Sequence, residues 1–238
     1  MNQIDDVLKP PTPTKKRPLL GATFLLVEDS RLAAEGFRLM CLHSGARIRR
    51  ADSLATARRH LRGYRPNVTL IDMTLPDGTG DALIAELAGR TGECGAIIAI
   101  SGDAAMEARA LAAGAHAFLL KPLSRISEFQ AAILPHLPPE RRPHGPRAIV
   151  DMRVEPDPVA YRDDLRHASL VLAQPDLKDG LGYVTQFLDG VARTAQDRRL
   201  GRAVAALEAA RHGDGPSEAR IAELRALIDT RIGASTIL

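Results

Sequence analysis

Four apolar runs of strand length, each followed at once by a polar residue, constrain this chain more than any other feature. Phe24–Val27 leads into Glu28-Asp29, Val68–Ile71 into Asp72, Ile97–Ile100 into Ser101, and Phe118–Leu120 into Lys121-Pro122. Helix-length segments fill the gaps, so strand and helix patterns alternate from Ala22 to His136. That alternation argues for βαβ units and a doubly wound α/β domain with a parallel sheet. We expect strands near 23–28, 46–50, 67–72, 96–100 and 117–120, and helices near 31–43, 53–62, 80–89, 104–113 and 124–136. The near-continuous apolar runs at 24–27 and 97–100 fit central strands covered on both faces. Ser30 and Asp52 are the expected helix N-caps, and Gly45, Gly63 and Gly114 stand where helices should stop. In parallel strands the four polar pieces meet at the carboxyl edge of one sheet, where open α/β folds bind ligands.

The residue types at that edge suit phosphoryl transfer. Asp72 is the candidate nucleophile, because a carboxylate can attack phosphorus and form an acyl phosphate. Glu28 and Asp29 beside it would repel it unless a divalent cation intervened, which implies Mg²⁺. Ser101 is placed to hydrogen-bond one phosphoryl oxygen and Lys121 to pair with another. Lysine usage supports the last role: after Lys16 the chain has only Lys121 and Lys178, and otherwise uses arginine. A compact ammonium suits a tight phosphoryl pocket where a planar guanidinium does not. A haloacid-dehalogenase-type phosphohydrolase would need a second Asp two residues past the nucleophile, and Thr74 stands there. No Gly-rich nucleotide loop followed by Lys-Ser/Thr is present. We therefore expect no independent enzymatic output.

The segments LLVEDS at 25–30, LIDMTLPDGTG at 70–80, ISGDA at 100–104 and FLLKPL at 118–123 resemble the receiver domains of two-component response regulators. The resemblance covers roughly residues 22–136. It implies a five-stranded, flavodoxin-like sheet in 2-1-3-4-5 order, and phosphoryl transfer from a phosphohistidine of a histidine kinase or phosphotransferase onto Asp72. It implies Mg²⁺ held directly by Asp29 and Asp72, through water by Glu28, and by the Met73 backbone carbonyl. Ser101 and Phe118 would be the switch pair, and Thr74 and Asp103 the positions that tune dephosphorylation. Lys121-Pro122 matches the family's lysine and following proline, often joined by a cis bond.

Outside that domain the chain changes character. Residues 1–20 read as a basic, Pro-rich disordered arm, the sheet domain as 21–137, and the Pro-rich stretch 138–157 as a linker in which Ala148–Val150 either adds a strand or docks. From 158 to 238 the pattern is helical. Asp157 and Pro158 start one helix and Pro175 a second. Leu177, Leu181, Val184, Leu188 and Val191 form a stripe on the second, a third carries Leu200, Val204 and Leu207, and Ser217 caps a last one. Such helices suggest a small all-α interaction module, or half of a dimeric bundle that would make a homodimer. DNA binding, as a transcriptional regulator, is the alternative. Against it weigh a net charge of only +3, the absence of Trp and the lack of a helix-turn-helix pattern. His167 and His212 lack the Lys and Gly that follow a phosphotransfer histidine. Cys41 and Cys94 have neither metal-ligand nor disulfide spacing. No run nears the ~20 apolar residues of a membrane span, and the expected location is the bacterial cytoplasm. Met106, Ala110 and Leu111 are candidate signalling contacts.

Overall fold

Side-chain alternation along the first strand sets the layering. In β1 (Thr23–Val27), Phe24 and Leu26 enter one core while Leu25 and Val27 enter another on the opposite face. A strand buried on both sides must be apolar throughout, and this one is after its first residue. The computed structural model describes residues 11–90, 95–145, 152–174, 177–211 and 218–234. Its main sheet contains β2 (Arg47–Ala51), β3 (Val68–Asp72), β4 (Ala96–Ser101) and β5 (Ala117–Leu120) besides β1. All neighbours pair in parallel in the order β2-β1-β3-β4-β5. This is the doubly wound, flavodoxin-like arrangement.

Helices α1 (Arg31–Ser44) and α5 (Ile126–Ile133) cover one face. There Phe129 lies between Phe24 and Phe37, with ring centroids 6.0 and 6.3 Å away. Helices α2 (Leu54–Leu61), α3 (Gly80–Ala88) and α4 (Met106–Ala112) cover the other. A short antiparallel ladder, Thr74–Leu75 against Gly78–Thr79, follows β3. Gly80 opens α3 so close to the end of β3 that a Cβ there would overlap the Asp72 carbonyl. The turn after the central strand therefore requires glycine at that point.

Several local expectations shift. Ser53, not Asp52, caps α2, accepting from Thr56 N at 3.3 Å. Asp77 supplies the negative charge at that helix start, accepting from Leu54 N and Ala55 N at 2.8 and 2.9 Å. Helix α5 begins at Ile126 rather than 124 because Ser124 and Arg125 are held extended: Val154 N donates to Ser124 O, and Arg125 bridges Arg153. Pro135 turns its end into a 3₁₀ turn, Leu134–His136. The expected linker is therefore docked in part, and Met152 and Val154 pack on the α1–α5 core. Ala148–Val150 lies outside the described residues. Of the expected arm, residues 1–10 lie outside the described residues; Pro18 and Leu19 are buried, and Leu19 N donates to Ser44 O at 2.9 Å. Ala110 faces the sheet, whereas Leu111 is exposed.

The C-terminal helices α6 (Pro158–Leu172), α7 (Leu177–Thr194), α8 (Arg198–Arg211) and α9 (Glu218–Gly233) pack in a closed ring, each on its two neighbours. Asp157 caps α6, accepting from Val159 N and Ala160 N. The apolar stripes, including Leu181, Val184, Leu188, Leu200, Val204 and Ile228, are buried inside this one chain. They are thus satisfied intramolecularly and do not need a second copy. No described helix is long and apolar enough to cross a membrane.

Candidate functional site

The parallel register brings the four polar pieces together. Glu28 and Asp29 follow β1, Asp72 ends β3, Ser101 ends β4 and Lys121 follows β5. Lys121 Nζ donates to Asp72 Oδ2 at 2.6 Å and to Glu28 Oε2 at 2.9 Å. One oxygen from each of Glu28, Asp29 and Asp72 lies within 4.8 Å of the others. Glu28 has no exposed surface and Asp72 is 5 % exposed. Burial lifts the Glu28 carboxyl well above its usual range; Lys121 opposes the shift, and Asp72 and Asp29 add to it. Asp29 is raised as well, again chiefly by burial, against a hydrogen bond from Tyr183. Burial alone would lower Lys121, but Asp72 and Glu28 outweigh it and hold it above the ordinary lysine range.

Three carboxylates thus face one ammonium, a charge imbalance that a divalent cation would relieve. An all-oxygen donor set of this kind fits Mg²⁺. The Met73 carbonyl, the expected backbone ligand, accepts from Gly80 N at 3.0 Å and keeps a second lone pair. Ser101 is buried, and its Oγ accepts from Asp103 N at 3.1 Å, leaving its O–H to donate elsewhere. Thr74 N donates to Asp72 Oδ1 at 3.3 Å. Asp103 caps the turn into α4, accepting from Ala105 N at 2.9 Å. Phe118 is half-buried against the α2–α4 core, three residues before Lys121. The Lys121-Pro122 bond is cis. Asp72, Thr74, Ser101, Asp103 and Lys121 line one cavity of about 230 Å³.

The family described as response regulator receiver domain matches residues 24–133. Residues 24–133 are a receiver domain. The transcriptional regulatory protein CitB of Klebsiella pneumoniae is 39% identical over 105 residues, 42% of this chain and 44% of that protein. The chain therefore spans less than half the length of that relative. A putative response regulator from Chloroflexus aurantiacus is similar at 26% identity and a TM-score of 0.44, over 46% of this chain and 92% of that one. The receiver domain of sensor histidine kinase PA1611 from Pseudomonas aeruginosa, solved with magnesium in its active-site cleft, gives 27%, 0.42, 46% and 92%. The receiver domain belongs to two-component signalling; the family match stops before the helical bundle.

The far wall of the receiver cavity comes from that bundle. Tyr183, Phe187 and Arg193 of α7 line it. Tyr183 Oη donates to Asp29 Oδ2 at 2.5 Å, and His167 Nε2 lies 3.4 Å from the same hydroxyl. Arg193 Nη1 donates to Gly102 O at 3.0 Å. Asp164 of α6 accepts from Ser30 Oγ, Arg31 N and Leu32 N at 2.7, 2.7 and 3.0 Å, and so caps α1 of the receiver from outside. Sequence reasoning missed all of these. The available signal was the pair Tyr183 and Phe187, one helical turn apart beside the apolar stripe, in a chain with three Tyr and five Phe.

Proposed function

We propose that Asp72 accepts a phosphoryl group from a phosphohistidine of a histidine kinase or histidine phosphotransferase. The Asp72 carboxylate attacks phosphorus, the P–N bond to the donor imidazole breaks, and an acyl phosphate forms. The observation that carries this reading is Lys121 Nζ, held between Asp72 and Glu28 at 2.6 and 2.9 Å, where it can pair with a phosphoryl oxygen. Glu28, Asp29, Asp72 and the Met73 carbonyl would hold Mg²⁺, which when bound offsets the negative charge that gathers on the transferring oxygens. Ser101 then donates to one phosphoryl oxygen, with Phe118 as the second switch residue and Thr74 and Asp103 flanking the route of a hydrolytic water. Output on this reading is protein–protein contact in the cytoplasm, with no second reaction.

The test is labelling by acetyl phosphate with Mg²⁺. Wild type takes up one phosphoryl group and Asp72→Asn takes up none; equal labelling of both would remove Asp72 from the mechanism. A DNA-binding output is the second reading, favoured by the transcriptional role in CitB's name. It predicts duplex binding that weakens steeply with salt.

A further inference from the structure

We propose that α7 is a size gate on the phosphoryl pocket: docked, it admits a small phosphodonor and excludes a histidine carried by a protein. The inference rests on Asp72 being the acceptor. In-line transfer needs the reacting atoms within about 3–3.5 Å in the attacking geometry. An imidazole reaches only a short way beyond its own backbone, so a donor protein must lie against the mouth of the pocket. That mouth is where α7 sits: Tyr183, Phe187 and Arg193 line the cavity opposite Asp72 and Lys121. A donor's surface and α7 cannot both occupy this place. The cavity of about 230 Å³ that remains is large enough for a molecule such as acetyl phosphate.

Besides the Arg193–Gly102 and Arg31–Asp163 hydrogen bonds, three contacts hold the gate shut, and all use receiver groups beside the pocket. Leu32 leaves the receiver's own cores and is buried in the core of the bundle. Asp164 caps the N-terminus of α1 through three hydrogen bonds. Tyr183 binds Asp29, a carboxylate of the pocket itself. The third contact links gate and site, because a cation drawn to Asp29 Oδ2 competes with the Tyr183 hydroxyl. By reciprocity, a cation that displaces the Tyr183 hydroxyl from Asp29 weakens docking by the same factor by which docking weakens its binding.

The experiment compares two donors on the full-length chain: free acetyl phosphate, and phosphohistidine on a folded carrier protein charged with phosphoramidate, both with Mg²⁺. Leu32→Arg opens the gate without touching the pocket. We expect it to speed labelling by the carrier about tenfold or more, the range of ordinary site-to-site couplings. At saturating Mg²⁺, where the competition at Asp29 no longer limits the rate, acetyl phosphate labelling should stay within about twofold, since the pocket residues are intact. Asp164→Ala, which keeps Asp72, Lys121 and the three pocket carboxylates in place, should show the same selectivity and covers a folding failure of Leu32→Arg. Equal acceleration with both donors, or no gain with the carrier in either variant, overturns the gate. Failure of acetyl phosphate to label wild type contradicts the Asp72 assignment itself, and the gate with it.

Discussion

The receiver domain and the helical bundle both bury a continuous apolar core, but they handle charge in opposite ways. The receiver concentrates Glu28 and Asp72 in its interior and offsets them with a single ammonium, Lys121. The bundle balances its main charged group locally: Asp197 accepts from Arg231 at 2.7 Å and from Tyr161 at 2.9 Å. Buried, unbalanced carboxylates cost stability and persist where they perform chemistry; a matched pair at a rim is structural. The bundle's one buried carboxylate among the described residues, Asp164, has its partners in the receiver. It therefore belongs to the junction between the two regions.

The contrast can be broken first at the receiver core. Phe129→Ala removes the ring between Phe24 and Phe37 and should cost about 3–5 kcal/mol. Denaturant unfolding would show this loss, together with loss of acetyl phosphate labelling. Labelling at the wild-type level would mean that the sheet does not depend on this packing. At the junction, Asp164→Ala should cost about 1–3 kcal/mol, because α1's first N–H groups and the Ser30 hydroxyl lose their acceptor. The expected signature is a lower unfolding midpoint, with the receiver still able to take label.

The smallest effect concerns pH and the bundle alone. Hydrogen bonds from Arg231 hold the Asp197 carboxyl well below the usual carboxylate range, against the opposing effect of burial. Its pKa is therefore lower folded than unfolded. The stability it contributes is full above the unfolded value of about 3.9 and is lost as pH falls below it. Asp197→Asn should flatten the acid-side loss of bundle stability, read by circular dichroism between pH 5 and pH 2. An unchanged acid profile would assign that loss to other groups.

The same contrast explains what the sequence discloses. In the receiver, polar residues punctuate the strand ends, so the meeting of Glu28, Asp29, Asp72, Ser101 and Lys121 at one sheet edge was legible from spacing alone. The sheet order needed the family resemblance. Details that depend on tertiary partners were not legible: Asp77 reaching across to α2, and the 152–154 segment that delays α5. In the bundle, the stripes at Leu181, Val184 and Leu188 announced helices but not what they pack against. Tyr183 and Asp164 act through groups more than 130 positions away in the chain, the separations being 154 and 134. No local pattern carries such a pairing.

The most direct test of the account is to locate the phosphoryl group. The full-length protein is treated with acetyl phosphate and Mg²⁺, reduced with borohydride so that an aspartyl phosphate becomes homoserine, and mapped by mass spectrometry. The account predicts one modified position, residue 72. Modification at Glu28 or Asp29, or a stable label on His167 beside the pocket, would contradict it.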